Sequence, residues 1–205
     1  MELTIHTLTP ERAADFIRFF DETPHNHGGE KCYCVTWRAD EAYSDGCHWY
    51  PTEETRRAKA MAYVQNGGIE GYLAYDGERV IGWCNANGNC SLCVEYLRSF
   101  WNIAPHDPRV RVKSIFCFAV APTYQHKGVA TALLNRVCRD AEVAGYDCVE
   151  AYATNCDPDS AESLAYHGPI AMYEKAGFVR CGTQGDKIVL RKTFKAQTEG
   201  SNRKS

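Results

Sequence analysis

A short loop between an apolar run and an amphipathic run is the first feature of this sequence that suggests chemistry. The loop is Gln125-His126-Lys127-Gly128-Val129-Ala130, and Leu133, Leu134, Val137 and Ala141 follow it at helical spacing. The first N–H groups of a helix have no partner inside the helix and, together with the helix dipole, they suit a phosphate. Gly128 has no side chain to block a close approach. The pattern predicts an anion site, although a tight strand-to-helix turn without a ligand would look the same.

Cysteine and histidine are concentrated before residue 94 and raise the question of a metal site. The residues in question are His25, His27, Cys32, Cys34, Cys47, His48, Cys90 and Cys93. A closed zinc site uses paired knuckles, and Cys32 and Cys34 are one residue too close for the usual knuckle. We therefore predict no metal, and interpret these thiols as buried or pocket-lining. Cys117 lies in an apolar run with no neighbouring His, which favours a core thiol over a nucleophile.

Aromatic side chains accompany these cysteines, and two interpretations of them stay open. They are Tyr33, Trp37, Trp49 and Tyr50, with Trp83 and Trp101 further along the chain. Ligand pockets are lined by aromatic side chains with few polar groups, so the set could form an acceptor pocket. An ordinary core would use the same residues.

Composition and charge exclude several classes of protein. The 205 residues carry a net charge of −3, which gives no reason to expect nucleic acid as the partner. No stretch approaches the roughly 20 apolar residues of a membrane span. The first residues do not resemble a signal peptide, so we expect a cytoplasmic protein whose eleven cysteines are reduced. A homodimer is left open.

Hydrophobic periodicity predicts one α/β domain over residues 1–194, with a disordered polar tail over 195–205. The predicted strands span residues 3–8, 71–75, 78–85, 110–120, 148–153, 178–181 and 187–190. The predicted helices begin at about residues 10 and 52, after the loop 125–130, and at about residue 169. Asp76-Gly77 is predicted to form the two-residue turn of a hairpin.

Two blocks of the sequence resemble the GNAT acyltransferase superfamily. Its central signature is an apolar strand ending near a Val, a Pro-x-Tyr turn, Arg or Gln, two residues, Gly, one residue, and Gly or Ala. Residues 115–134 contain these elements in order. Residues 170–178, with Tyr173 and Gly177-Phe178, resemble the superfamily's Tyr-x-x-x-Gly-Phe block. The hairpin is similar to that of a bacterial subgroup of the superfamily. The resemblance does not extend to the N-terminal quarter of the chain.

The resemblance implies a fold and a cofactor. The fold is a central mixed, mostly antiparallel twisted sheet with a splayed parallel strand pair, and helices on both faces. The cofactor is acetyl-CoA, the acyl donor, whose pantetheine arm would bind the backbone of Phe118, Ala119 and Val120. The residues implied for the pyrophosphate follow the strand: Gln125, His126, Lys127, Gly128, Val129, Ala130 and Thr131. Lys127 is equally well interpreted as a solvated lysine at a helix start.

The resemblance also implies a reaction, in which an amine attacks the thioester directly through a tetrahedral oxyanion. The backbone N–H near Val120 is the implied oxyanion donor. Tyr173 stands where the superfamily often places the phenol that protonates the leaving thiolate. Glu150, on the strand flanking the cleft, is the candidate base. It is equally well interpreted as an ordinary strand residue that faces solvent or pairs with a neighbour. A chain of water molecules could remove the amine proton instead.

The sequence therefore predicts an N-acetyltransferase acting on a primary amine of a small molecule. A protein or peptide N-acetyltransferase, and a sensor that binds acyl-CoA without turnover, remain alternatives, since a fold does not settle a function.

Overall fold

The computed structural model describes residues 2–23, 31–37, 50–88, 107, 109–154, 165–185 and 187–194. Within them, seven strands and four helices follow one another along the chain. The strands are β1 (Leu3–Thr7), β2 (Gly71–Asp76), β3 (Arg79–Gly88), β4 (Val112–Val120), β5 (Cys148–Thr154), β6 (Val179–Gln184) and β7 (Lys187–Thr193). The helices are α1 (Ala13–Glu22), α2 (Glu53–Gln65), α3 (Val129–Val143) and α4 (Ile170–Lys175).

Local signals in the sequence account for most of the helix ends. The hydroxyl of Thr52 accepts a hydrogen bond from Thr55 N–H at 3.2 Å and caps α2. Gly128 precedes α3 with a φ of +84°, and Gly145 follows it with a φ of +72°. Gly177 closes α4 with a φ of +89°. These left-handed positions favour glycine, which is why the predicted helix boundaries agree closely with the observed ones.

The strands form a single sheet in the order β1-β2-β3-β4-β5-β7-β6. Only the β4–β5 pair is parallel among the pairings of the described strands. Helices α1 and α2 pack on one face with Trp83, Phe116 and Tyr152, and α3 and α4 pack on the other face with Ile115 and Val149. The predicted mixed sheet with helices on both faces is confirmed.

The hairpin of β2 and β3 differs from the prediction by one residue. Asp76 pairs with Arg79, so the two-residue turn consists of Gly77 and Glu78. Gly77 has a φ of +57°, whereas Glu78 does not adopt a positive φ, which is the pattern of a type II′ turn. The glycine of the predicted Asp-Gly pair is thus the first turn residue.

Strands β4 and β5 separate partway along their length. Their pairing runs from Val112↔Cys148 to Ile115↔Ala151, while β4 continues to Val120 and β5 to Thr154. Phe116 is an extra residue on β4, because Ile115 and Cys117 pair with the adjacent Ala86 and Asn85 of β3. A bulge of this kind bends its strand. The predicted splayed strand pair is therefore present, with the bulge at its opening.

Several sequence predictions fall outside the described residues. They concern Trp49, Trp101, His25, His27, Cys47, His48, Cys90, Cys93 and the tail 195–205. The single-domain organisation stays a prediction. None of the described helices combines the length and the apolarity that crossing a bilayer requires.

Gly71 at the start of β2 provides a test of how tightly β2 and β3 pack. A Cβ at Gly71 would lie 2.2 Å from the Cys84 carbonyl oxygen and 2.3 Å from Cη2 of Trp83. A backbone carbonyl group can move only if the strand moves with it. We therefore expect Gly71→Ala to lower the free energy of unfolding by at least about 2 kcal/mol. Urea denaturation measures this.

The matched control is Gly182→Ala on β6, where the added Cβ would lie 3.7 Å from Val189, an ordinary contact. It should change the free energy by less than about 0.5 kcal/mol. Equal midpoints for the two variants would contradict the predicted close contact at Gly71.

Candidate active site

A cavity of about 600 Å³ opens where β4 ends and α3 begins. This size lies within the range of small-molecule sites. Its lining includes nine of the ten residues predicted for the donor, the exception being Lys127. The lining residues are Phe118, Ala119, Val120, Tyr124, Gln125, His126, Gly128, Val129, Ala130, Thr131, Tyr166, Gly168, Pro169 and Met172. The structure thus brings the predicted loop and strand end together around one space.

The loop before α3 presents backbone amides to this cavity. The first bond to the helix runs from Ala132 N–H to Gly128 O at 2.9 Å, so the amides of Val129, Ala130 and Thr131 precede the hydrogen-bonded ladder. His126 and Gly128 both have left-handed backbones, with φ values of +58° and +84°. Alternation of this kind turns successive N–H groups into an anion-binding concavity.

The space above the loop is open. A Cβ built on Gly128 meets no heavy atom within 4 Å. A phosphate that approaches the loop at Gly128 would therefore meet no side chain at that position.

Polar contacts fix the loop against the sheet. The Tyr124 hydroxyl donates to Asp76 Oδ2 at 3.1 Å, and Gln125 Nε2 donates to Val120 O at 3.3 Å. The ammonium of Lys127 lies 5.6 Å from the centre of the Tyr124 ring. The side chains of Gln125 and Lys127 therefore contact neighbouring parts of the loop and sheet. The polar groups that the loop presents to the cavity are mainly those of its backbone.

The other end of the cavity lies at the opening between β4 and β5. No strand in the described part of the chain pairs with the β5-facing edge of β4 beyond Ile115. Phe118, Tyr166 and Met172 make this end apolar. An anion at the α3 end and a long uncharged arm along residues 118–120 fit the residues present.

A turn at Ala165–His167 lies at the opening between the two strands. Nδ1 of His167 lies 3.0 Å from the carbonyl oxygen of Phe116, the bulge residue, and the His167 side chain is 2% exposed. Burial lowers the pKa of His167 from 6.5 to about 4, so the ring is neutral at pH 7. The ring of Tyr166 packs against it at a tilt of 46°, with ring centres 4.2 Å apart.

Tyr173, the predicted general acid, lies on α4 directly behind the cavity wall. Its hydroxyl donates to His167 O at 2.6 Å, and its ring packs against Phe118 and Phe178. Burial raises its pKa well above the ordinary value. The neighbouring Met172 lines the cavity, whereas Tyr173 does not.

Glu150, the predicted base, is paired with Arg191 and is not among the residues that line the cavity. Nη2 and Nε of Arg191 lie 2.6 and 3.0 Å from Glu150 Oε2. The Tyr152 hydroxyl donates to Oε1 at 2.7 Å, and Ser114 Oγ lies 3.2 Å from that hydroxyl. The carboxylate, only 2% exposed, thereby ties β5 to β7.

The aromatic residues proposed for an acceptor pocket are mostly core. Tyr33, Tyr50 and Trp83 are 6% exposed or less. Trp37 packs beside the opening, with its ring 5.8 Å from Phe116 and 5.9 Å from His167 between centres. Of the described members, Trp37 alone has ring contacts with these two residues of the opening. The described residues contain no group of three or more His, Cys, Asp or Glu that could hold a metal.

Sequence reasoning missed the part of the site that precedes α4. Tyr166, His167, Gly168 and Pro169 belong to it, and the turn-forming Gly-Pro pair was its one local signal. Gly168 has a φ of +77°, and a Cβ there would lie 2.9 Å from the Met172 methyl carbon. The contact of this turn with Phe116 depends on tertiary structure, so local patterning could not reveal it.

Comparisons with known proteins agree with the geometry. The sequence matches the family model for the acetyltransferase (GNAT) family over residues 30–178. No curated protein matches the chain by sequence.

Three solved structures illustrate the similarity of the fold. The acetyltransferase of GNAT family from Streptococcus pneumoniae has a TM-score of 0.54 and 16% identity, with 94% of this chain and 100% of that chain covered. The PaiA N-acetyltransferase from Thermoplasma acidophilum, in complex with coenzyme A, has a TM-score of 0.54 and 15% identity, with 95% of this chain and 100% of that chain covered. The ribosomal-protein-S18-alanine N-acetyltransferase from Escherichia coli has a TM-score of 0.53 and 15% identity, with 97% of each chain covered. At these identities the likeness concerns the fold.

The buried imidazole of His167 predicts a pH dependence of stability. Because its folded pKa is depressed, the unfolded chain binds the proton first, and stability is lost as the pH falls from 6.5 towards about 4. Between pH 7.5 and pH 5 this residue should remove about 2 kcal/mol from the free energy of unfolding.

Urea denaturation of the parent and of His167→Gln at both pH values isolates this contribution. The variant should lose less stability on acidification than the parent by that amount. The same pH dependence in both proteins would contradict the neutral, buried state of His167.

Proposed function

Because this chain belongs to the acetyltransferase (GNAT) family, we propose that it transfers an acetyl group from acetyl-CoA to a primary amine of a small molecule. The observation that carries the proposal is the cavity itself, with helix-start amides at one end and the unpaired edge of β4 at the other. The coenzyme A complex of the similar Thermoplasma protein supports the choice of donor.

The donor would be recognised mainly through the backbone. The amides that precede the α3 ladder would hold the pyrophosphate, with the Thr131 hydroxyl as a further donor. Lys127 would add a positive charge nearby. The pantetheine arm would run along Phe118–Val120, where the edge of the strand offers peptide groups.

The reaction would be a direct attack. The amine nitrogen forms a bond to the thioester carbon, and negative charge develops on the carbonyl oxygen, where the backbone N–H near Val120 would stabilise it. The carbon–sulfur bond then breaks, and coenzyme A leaves as a thiolate. Tyr173 would supply the proton to this sulfur after its hydroxyl turns away from His167 O.

The route for the amine proton is the second part of the proposal. A role for Glu150 in relaying the amine proton stays a prediction. Both of its carboxylate oxygens already accept hydrogen bonds, Oε1 from Tyr152 and Oε2 from Arg191. We therefore favour water at the opening between β4 and β5 as the first acceptor of the proton.

The acceptor would approach from the face of the sheet that carries α1 and α2. There the segment 31–37 packs over β3 and β4, and Trp37 stands beside Phe116. Its aromatic character favours a small organic amine. The similar Escherichia coli protein is named for an alanine of ribosomal protein S18, so peptides must be part of any test.

An amine panel tests the proposal. Purified protein is mixed with acetyl-CoA and with small amines, amino acids or peptides, and the release of free thiol is followed. We expect turnover with at least one small amine. Turnover with peptides alone would assign a protein acceptor, and tight binding of acetyl-CoA without any thiol release would indicate a sensor.

Gly128→Glu tests the donor site. A carboxylate at this position would face the pyrophosphate, and like charges about 4 Å apart near a protein surface repel by about 4 kcal/mol. We expect the affinity for coenzyme A, measured by calorimetry, to fall by roughly 100-fold to 1000-fold.

Gly77→Glu is the matched control, because Gly77 also has a left-handed backbone and open space at its Cβ but lies in the β2–β3 turn. It shares the backbone strain and should leave the affinity unchanged. Parent-like affinity of the Gly128→Glu protein would show that the loop does not hold the pyrophosphate.

Tyr173→Phe tests the general acid. Removal of the hydroxyl should lower kcat by roughly 100-fold or more while the affinity for coenzyme A changes little. Since the variant also loses a buried hydrogen bond to His167 O, thermal unfolding is measured beside activity. A folded variant with the parent's kcat would remove Tyr173 from the mechanism.

A further inference from the structure

Four buried side chains meet at the sulfur of Cys34, and the proposed acetyl transfer uses none of them. Trp83 and Asn85 come from β3, Cys117 comes from β4, and Cys34 comes from the segment 31–37. All four residues are 6% exposed or less. They share a sheet face with α1 and α2, beside the strand that forms the cavity wall.

The Cys34 sulfur accepts an unusual number of hydrogen bonds. Trp83 Nε1 and Asn85 Nδ2 each lie 3.2 Å from it, and both groups can only donate. The sulfur of Cys117 lies 3.0 Å away. Two N–H donors directed at one sulfur stabilise negative charge on it, so Cys34 is the thiol of the pair that gives up its proton more readily.

The electrostatics separate the two cysteines. Burial acts to raise the pKa of Cys34, but its hydrogen bonds with Cys117, Trp83 and Asn85 outweigh burial and lower it. The hydrogen bond to Cys34, together with burial, raises the pKa of Cys117 well above the ordinary value. Cys34 is therefore the more acidic thiol of the pair, and it is in contact with a thiol that holds its proton more tightly.

The backbone holds Cys34 in place under strain. Tyr33 and Cys34 are successive non-glycine residues with φ values of +47° and +58°. Such residues persist only where their surroundings determine the conformation. Here Arg56 donates to Lys31 O at 2.7 Å, and the Tyr33 hydroxyl donates to Asp21 Oδ1 at 2.8 Å. The result is that the Cys34 sulfur is fixed against Cys117.

We propose that Cys34 and Cys117 form a redox-active dithiol that hydrogen peroxide oxidises to a disulfide. Cys34 Sγ attacks a peroxide oxygen, the O–O bond breaks, and the departing hydroxide takes up a proton to become water. Cys117 then loses its proton and attacks the resulting S–OH sulfur, which expels a second hydroxide that takes up that proton. The two thiols lose two electrons and two protons, and the peroxide becomes two waters.

The other described cysteines lack this arrangement. Burial raises the pKa of Cys32 to about 12 and that of Cys138 to about 11. Cys181, which is exposed, also has a raised pKa because of desolvation. Since the thiolate is the form that reacts with peroxide, Cys34 should be consumed first.

Peptide mapping of the full chain tests the proposal. Reduced protein is treated with stoichiometric hydrogen peroxide, quenched with N-ethylmaleimide in a denaturant that exposes every thiol, and digested with trypsin. We expect peptide 32–38 to be joined to peptide 114–127, with two hydrogen masses lost and full reversal by dithiothreitol. Free Cys34 and free Cys117 should disappear together, in equal amounts, and before free Cys181.

Cys32 lies in the same tryptic peptide and provides the matched control. Cys32→Ser should keep the cross-link, and Cys34→Ser should abolish it. The proposal is overturned if Cys117 stays fully alkylated after peroxide, or if the cross-link survives in Cys34→Ser. Fragmentation of the linked peptides from the parent assigns the sulfur even if a variant does not fold.

Discussion

The separation of β4 from β5 after Ile115↔Ala151 is the constraint on which the rest of the structure depends. A parallel pair that stayed together to its end would satisfy the backbone of residues 116–120 within the sheet. The extra residue at Phe116 bends β4 away, and its carbonyl then bonds to His167 instead of to a strand. The cavity, the turn before α4 and the position of Tyr173 all follow from that one local break.

The two faces of the sheet contribute different chemical groups to the proposed site. On the α3 face, the proposed recognition of the donor uses peptide groups, since the N–H groups of the helix start and the edge of β4 need no particular side chain. On the α1–α2 face, the side chains of Trp37 and Tyr33 and of the Cys34–Cys117 pair fill the space over β3 and β4. The Glu150–Arg191 ion pair joins β5 to β7 next to the parallel pair and keeps the strands in register.

What the sequence revealed depended on how local each interaction is. The loop at 125–130 could be predicted because its determinants, a strand, Gly128 and the first turn of α3, adjoin one another in the chain. The hairpin was predictable for the same reason, to within one residue. Cys34 and Cys117 are separated by 83 residues, and Glu150 and Arg191 by 41, so no pattern in either neighbourhood announces the partner. His167 was missed because its role arises only where the strands part.

The proposed donor site is made of peptide groups, and this has a consequence for how such a protein can change in evolution. Substitutions at His126, Lys127 or Val129 alter the side chains but leave the N–H groups in place, provided that each residue can adopt the same backbone angles. Gly128, with its φ of +84°, is the position with little freedom. The face that we propose for the acceptor has the opposite property, since its side chains themselves would make the contacts. Under this proposal, selection could change the amine substrate through one face of the sheet while the groups that hold the thioester on the other face stay the same.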